Sequence, residues 1–99
     1  MQQVTPQQLK NWTENKKDFV LIDIREGWER VAFNIGGTHI PMGDLMASLS
    51  EIPKDKDVVI YCEKGIRSVI SIQRLEGQGF NNLFNLNGGM SAWKYEYGN

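Results

Sequence analysis

The stretch VVIYC, residues 58–62, limits the fold of this chain more than any other segment. Four consecutive apolar or aromatic residues in a short run are typical of a strand buried on both faces, as in a parallel sheet. The next six residues, EKGIRS, bring two cations and a glycine, and a helical pattern follows. The stretch therefore predicts a buried strand, a tight loop and a helix, with Cys62 at the tip of the strand.

Strand-like and helix-like segments alternate on both sides of this stretch. Short runs of β-forming residues predict further strands over 18–23, 38–41 and 82–86. Apolar residues and capping signals predict helices over 6–16, 26–33, 42–52, 66–78 and 88–98. The residues expected to face the core from two of these helices are Leu45, Met46 and Leu49, and Ile66, Val69, Ile70 and Leu75. The alternation predicts the α/β class, a three-layer α/β/α sandwich with a mostly parallel sheet, in one domain over residues 1–99.

The composition excludes several kinds of site. A single cysteine cannot close an internal disulfide, and only His39 could join it in a zinc site, so we predict no metal and no cofactor. A net charge of −1 argues against a nucleic-acid binder that relies on bulk positive charge. No apolar run approaches the roughly 18 residues that span a bilayer, and the polar N-terminus predicts no signal peptide. These features predict a cytoplasmic protein without nucleic-acid or membrane partners.

The loop after the strand has the composition of an anion cradle. It leads directly into a helix N-terminus, where backbone N–H groups converge on a negative centre and the helix dipole adds positive charge. Lys64 and Arg67 add full charges, and Gly65 permits a positive φ. Ser68 is expected to cap the helix or to donate to the sulfur. These features favour the reactive thiolate over the thiol, so Cys62 is predicted to be a nucleophile.

A cysteine at a strand end has a simpler explanation, because free Cys often packs as a small apolar residue. The loop EKGIRS weighs against that explanation, since a buried filler needs no glycine turn between two cations. Asp23 and Arg25 lie at the end of another predicted strand. Ligands of parallel sheets bind outside the carboxyl ends of the strands, so these residues are expected at the same edge as Cys62. We expect Asp23 to be a structural hydrogen-bond acceptor and Arg25 to brace the loop or the donor site.

Four segments of the chain resemble, in the same order, the landmarks of a known family. CEKGIRS is similar to an active-site loop with the pattern C-x-x-G-x-R-S. LIDIREGWE, NIGGTHIP and NLNGGMSAW resemble the family segments D-V-R-E-x-x-E, H-I-x-G-A-x-x-I-P and L-x-G-G-x-x-x-W. The resemblance covers about residues 4–97 and is to the single-domain rhodanese-like sulfurtransferases.

This resemblance implies a five-stranded parallel sheet with helices on both faces, together with covalent catalysis. It implies that Cys62 takes the outer sulfur of a donor such as thiosulfate, becomes a persulfide, and passes the sulfur to cyanide, a thiol or a protein. Amides of residues 63–67 would stabilise the terminal sulfur. By match to the motif, Arg67 supports the loop and Lys64 attracts an anionic donor. Glu29 also matches a family position, although a solvated helix face explains it equally well.

Two alternatives to sulfur transfer stay open. The first alternative is the chemistry of related phosphatases and arsenate reductases of this fold. The phosphatases use a C-x5-R loop, whereas the loop from Cys62 to Arg67 is C-x4-R. This smaller ring suits one sulfur atom better than a tetrahedral oxyanion. The other is a non-catalytic binding module, which departures from the family pattern motivate. Glu63 stands where Arg is common and lowers the local positive potential. Phe33 stands where Gly is usual, within a segment, 33–41, that is expected to shape one wall of the pocket.

Overall fold

The computed structural model describes residues 1–98, in which a five-stranded sheet lies between two helical layers. The strands are β1 (Gln2–Val4), β2 (Phe19–Asp23), β3 (Thr38–His39), β4 (Asp57–Tyr61) and β5 (Leu83–Leu86). The helices are α1 (Pro6–Glu14), α2 (Gly27–Ala32), α3 (Ile66–Glu76) and α4 (Gly89–Tyr97), with two short 3₁₀ helices at Met42–Ala47 and Leu49–Glu51. The predicted α/β class and five-stranded sheet are confirmed. The predicted domain also includes Asn99, which lies outside the described residues.

All strand pairs in the sheet are parallel, and the strand order is β1-β5-β4-β2-β3. Strand β4, with its apolar run, lies at the centre of this order. It has a strand on each side and helices over both faces. Asp23 at the end of β2 pairs in register with Tyr61 at the end of β4. The segments that follow these two strands therefore leave the sheet at the same level and the same edge.

Alternate residues of β4 pack into two separate clusters, as the two-residue period of a strand requires. Val58, Ile60 and Cys62 lie on the side of α3. Val59 and Tyr61 lie on the opposite side, where α1 and α4 cover the sheet. Each fully buried apolar side chain stabilises the fold by about 1.5–3 kcal/mol, so both layers hold the strand in place. The side chain of Cys62 consequently points toward the first turns of α3.

The inward face of α3 differs from the predicted one. Ile66 and Ile70 were expected to face the core, but they are 66% and 40% exposed, and Val69 is half-buried. The buried residues of the helix are Ser68, Ser71, Ile72 and Leu75. Two serines occupy positions that the hydrophobic pattern cannot identify as buried, and this moved the predicted face around the helix.

The segment between Pro41 and Pro53, predicted to be one helix, forms two short 3₁₀ helices. A 3₁₀ helix has three residues per turn, so residues three apart share a face. Leu45 is buried as predicted and Met42 packs beside it, whereas Met46, also expected to face inward, is 45% exposed. Leu49 is half-buried against the same cluster.

The edge strand β1 was not predicted from the sequence. It has three residues, of which Gln2 and Gln3 are exposed and Val4 is buried, so it carries no alternating apolar signal. It pairs with β5, which places Gln3 opposite Asn85. Among residues 1–98, the longest helices are too short and too polar to cross a membrane.

Candidate active site

Cys62 lies directly after β4, at the carboxyl edge of the sheet. It is a free cysteine, and its residue surface is only 1% exposed. It forms the base of a cavity of about 350 Å³. The other residues that line this cavity are Glu29, Glu63, Lys64, Ile66 and Arg67. The structure thus brings the predicted loop residues around the cysteine.

Two backbone N–H groups and one side-chain hydroxyl lie next to the sulfur of Cys62. The N–H groups of Gly65 and Ser68 donate to Sγ over 3.1 Å and 3.4 Å, and the Oγ of Ser68 lies 3.3 Å away. Gly65 adopts a φ of 85°, which a residue with a Cβ rarely takes, and this turns the loop amides inward. Amides at a helix N-terminus that point at sulfur stabilise a negative charge on it.

The outer side of the loop is held by α4. The N–H of Met90 donates to the carbonyl of Cys62 over 3.0 Å, and that of Ser91 donates to the carbonyl of Glu63 over 2.9 Å. Gly89, with a φ of 58°, packs against these carbonyls so closely that a Cβ would overlap them. Since the carbonyls point toward α4, the amides of the loop are free to point toward the cavity. The sequence showed the GG pair, but its contact with the cysteine loop could not be inferred.

Arg67 is tied to a carboxylate on α2. Its two terminal nitrogens donate to the two oxygens of Glu29 over 2.9 Å and 2.8 Å. Glu29 is 9% exposed, so of the two explanations left open for this residue, the solvated helix face does not apply. The hydrogen bond from Arg67 lowers the pKa of the Glu29 carboxyl, and the same bond raises the pKa of Arg67. Arg67 therefore joins the loop to α2.

Arg25 and Asp23 form a buried pair beside the loop. Asp23 is fully buried and Arg25 is 1% exposed. The Nε and Nη2 of Arg25 donate to the two Asp23 oxygens over 3.1 Å and 3.2 Å. Arg25 also donates to Glu63 over 3.2 Å and to the carbonyl of Phe33 over 2.6 Å. Asp23 thus accepts hydrogen bonds from Arg25, and Arg25 connects the end of β2 with Glu63 in the loop.

Glu63 forms ion pairs on both sides of its side chain. Its carboxylate lies 3.2 Å from Arg25 and 3.1 Å from Lys94 on α4, and it is 25% exposed. Lys64 is exposed, and within residues 1–98 it has no carboxylate at ion-pair distance. Lys64 is therefore the cation of the loop whose charge stays available to an anion that enters the cavity.

The segment 33–41 was expected to shape one wall of the pocket, but none of its residues lines the cavity at Cys62. Phe33 lines a neighbouring cavity of about 230 Å³, together with Trp28, Lys94 and Arg25. Glu29 and Glu63 line both cavities, so the two spaces adjoin.

Within the described part of the chain, no group of three or more His, Cys, Asp or Glu side chains is arranged to hold a metal ion.

Known proteins are similar to this chain in both sequence and fold. The model of the rhodanese-like domain family matches residues 5–96. A sulfurtransferase of Allochromatium vinosum is 37% identical over 92 residues, which cover 92% of this chain and 86% of that protein. A crystal structure of a rhodanese-like domain protein from Staphylococcus aureus has a TM-score of 0.86 at 30% identity, and covers 94% of this chain and 91% of that one.

Longer proteins also contain a similar segment. The probable adenylyltransferase/sulfurtransferase MoeZ of Mycobacterium tuberculosis is 31% identical over 93 residues, which cover 91% of this chain but only 24% of MoeZ. The chain thus spans about a quarter of the length of that relative. Sulfurtransferases recur among the relatives of different length. The fold, the family match over most of the chain and these relatives together show that the chain belongs to the rhodanese-like domain family.

Proposed function

We propose that this protein is a sulfurtransferase that carries a sulfane sulfur as a persulfide on Cys62. The observation that carries the proposal is the sulfur of Cys62 at the base of an open cavity, facing the N–H groups of Gly65 and Ser68. Such donors stabilise a thiolate, which is the nucleophilic form of cysteine. The same N–H groups would also stabilise the negative charge on a second sulfur bound to Sγ.

The first half-reaction loads the cysteine. The Cys62 thiolate attacks the outer sulfur of thiosulfate, a new S–S bond forms, and the S–S bond of thiosulfate breaks. Sulfite leaves with the electron pair of that bond, and the negative charge of the thiolate passes to the terminal sulfur of the persulfide. A persulfide donor reacts in the same way and leaves as a thiolate. Lys64 at the cavity rim is the residue placed to attract an anionic donor.

The second half-reaction transfers the terminal sulfur from Cys62 to an acceptor. Cyanide, a thiolate or a protein cysteine attacks the terminal sulfur, takes it as thiocyanate or as a new persulfide, and the Cys62 thiolate leaves. The cysteine ends as it began, so no redox cofactor is consumed.

The position of Arg67 favours sulfur over phosphate as the cargo. A phosphatase of this type needs its loop arginine to bind the oxygens of the phosphate, whereas both terminal nitrogens of Arg67 are occupied by Glu29. The short C-x4-R loop leaves less room for a tetrahedral anion. The supporting role of Arg67 is accordingly to keep the loop in the conformation that directs its amides at Cys62.

Turnover with small substrates tests the proposal. Thiosulfate and cyanide should yield thiocyanate with the wild type, and Cys62→Ser should abolish the product. The matched control is Ser71→Ala, which lies on α3 one turn after Ser68 and outside the cavity lining. This variant should keep the activity. Absence of turnover with thiosulfate and with persulfide donors would contradict the proposal and favour a non-catalytic binding module. Hydrolysis of an aryl phosphate would favour a phosphatase instead.

A further inference from the structure

A chain of polar side chains runs beneath Cys62 from the sheet edge. Ser68 Oγ lies 3.3 Å from Cys62 Sγ, and on its other side it is hydrogen-bonded to Asn85 Oδ1. Asn85 Nδ2 donates to Gln3 Oε1 over 3.0 Å. Ser68 and Asn85 are 0% and 2% exposed. The sulfur-transfer steps use the backbone N–H of Ser68, but they assign no role to its hydroxyl or to Asn85.

The direction of these hydrogen bonds follows from the donors available. Asn85 uses its Nδ2 to donate to Gln3, which leaves the Oδ1 directed at Ser68, and a carbonyl oxygen can only accept. A serine hydroxyl has one hydrogen, so that hydrogen goes to Asn85. The Ser68 oxygen is then left to accept the S–H of Cys62. The network is therefore complete when Cys62 is a neutral thiol.

A negative charge on the sulfur changes the demand on this hydroxyl. A thiolate accepts hydrogen bonds but donates none, so the Ser68 oxygen would face it with lone pairs for as long as its hydrogen points at Asn85. Rotation of the hydroxyl toward the sulfur removes that repulsion but leaves Asn85 Oδ1 buried without a partner, which is costly. Asn85 and the sulfur of Cys62 thus compete for a single hydrogen.

We propose that Asn85 is a positioning residue that sets the proton affinity of Cys62 by competing for the Ser68 hydroxyl hydrogen. Asn85 favours the thiol in the resting protein and acts only through Ser68. This role concerns the nucleophile of the proposed reaction, but it rests on the hydrogen bonds and not on sulfur transfer itself.

Several charged groups lie near Cys62 and stay unchanged in the test below. Glu29, Glu63, Lys64 and Arg67 line its cavity. Arg25 and Lys94 pair with Glu63, and Asp23 pairs with Arg25. The side chains that connect to Ser68 from β5 and β1, Asn85 and Gln3, are neutral. A shift caused by replacing Asn85 therefore comes from the hydrogen bond and not from a lost charge.

The pH dependence of Cys62 alkylation by iodoacetamide measures this competition without any sulfur donor. Asn85→Leu is nearly isosteric and removes the competing acceptor. The midpoint of its alkylation profile should lie about one pH unit below that of the wild type, the effect of one additional hydrogen bond to the thiolate. In a Ser68→Ala background the same substitution should cause no shift. Ser71→Ala, whose hydroxyl is buried without a hydrogen-bond partner, is the control and should leave the midpoint unchanged.

A milder change guards against a variant that does not fold. Gln3→Ala, on the exposed edge strand, removes the partner that orients the Asn85 amide. The midpoint should again fall, by less than with Asn85→Leu, and only when Ser68 is present. An unchanged or higher midpoint in the folded variants overturns the proposal, as does an equal shift in the Ser68→Ala background. Because alkylation needs no sulfur transfer, a protein without turnover would still give a decisive result.

Discussion

Arg25 and Arg67 both bind carboxylates, so the cavity above Cys62 is less positive than its residue content indicates. Arg25 binds Asp23 and Glu63, and Arg67 binds Glu29. Among single residues, Glu63 matters most for the potential because it lines the cavity and faces two cations. The sequence indicated that Glu63 lowers the local positive potential. In the structure its carboxylate pairs with Arg25 and Lys94.

Glu63→Gln should raise kcat/KM for thiosulfate roughly fivefold, because it removes a negative charge beside the path of a dianion. Arg25 keeps Asp23 as a partner in this variant, while Lys94 is released. The gain should shrink as salt is added, since screening weakens interactions between exposed charges. Steady-state rates at low and high salt measure both effects.

The control for this variant is Glu76→Gln, at the far end of α3, which should leave kcat/KM unchanged. If Glu63→Gln leaves kcat/KM unchanged or lowers it, Glu63 does not oppose anionic donors. Its main role is then to hold the loop through Arg25 and Lys94.

The Glu29–Arg67 pair should make stability depend on acid pH. Because the pKa of Glu29 is lowered in the folded state, its contribution is complete above its ordinary value near 4.5 and is lost as the pH falls through the folded value. At neutral pH, Glu29→Gln should lower the free energy of unfolding by about 1 kcal/mol, a figure reduced for the partial exposure of Arg67. Urea unfolding at about pH 3 should show a smaller difference between the two proteins.

The exposed Glu14→Gln on α1 should show no difference from the wild type at either pH. A difference between Glu29→Gln and the wild type that stays constant across this range would mean that the ion pair does not stabilise the fold.

At the scale of elements, the cysteine loop depends on two helices that hold its two sides. The first turn of α3 directs N–H groups at the sulfur, and the first turn of α4 binds the carbonyls behind it. Gly65 and Gly89 make the two close approaches possible. The loop is thus part of the sheet–helix framework and not a separate mobile segment.

Gly89→Ala should distort this framework. A Cβ at a φ of 58° is strained, and it would overlap the carbonyl groups of Cys62 and Glu63. We expect a loss of about 2 kcal/mol in unfolding free energy. Thiocyanate formation should fall roughly tenfold or more, because the loop amides move away from the sulfur.

Gly43→Ala is the matched control, since a Cβ there meets open space and its φ is not positive. Its unfolding free energy should stay within about 0.5 kcal/mol of the wild type, with full activity. Equal behaviour of the two variants would show that the contact with α4 does not position the loop.

The elements show where sequence patterns succeed and where they do not. The apolar run of β4 and the capping signal before the helix over 6–16 are local signals, and both predicted their elements; Thr5 is the residue that caps α1. The buried face of α3 was misplaced because two of its inward residues, Ser68 and Ser71, are polar, and of these only Ser68 contacts Cys62. The strand β1 was missed because an edge strand of three residues is defined by its partner β5.

For the whole molecule, the sheet order brings distant parts of the chain to one edge. Parallel strands end together, which is why Asp23, Arg25 and Cys62 could be predicted to meet. The pairing of Glu29 with Arg67 spans 38 residues, and no local pattern specifies it. Asn85 is linked to Cys62 through Ser68 because β5 lies beside β4. The fold predicted from the sequence is confirmed. Cys62 as the nucleophile stays a prediction, and the partners of its loop depend on the three-dimensional arrangement.

The central claim, that Cys62 carries the sulfur, is tested most directly by one intact-mass measurement after incubation with thiosulfate and removal of the excess. The wild type should gain the mass of one sulfur atom, located on Cys62 by peptide mapping and released by a reducing thiol. Cys62→Ser should gain nothing. A wild type whose mass is unchanged with thiosulfate and with a persulfide donor, or a sulfur retained by Cys62→Ser, would contradict the account.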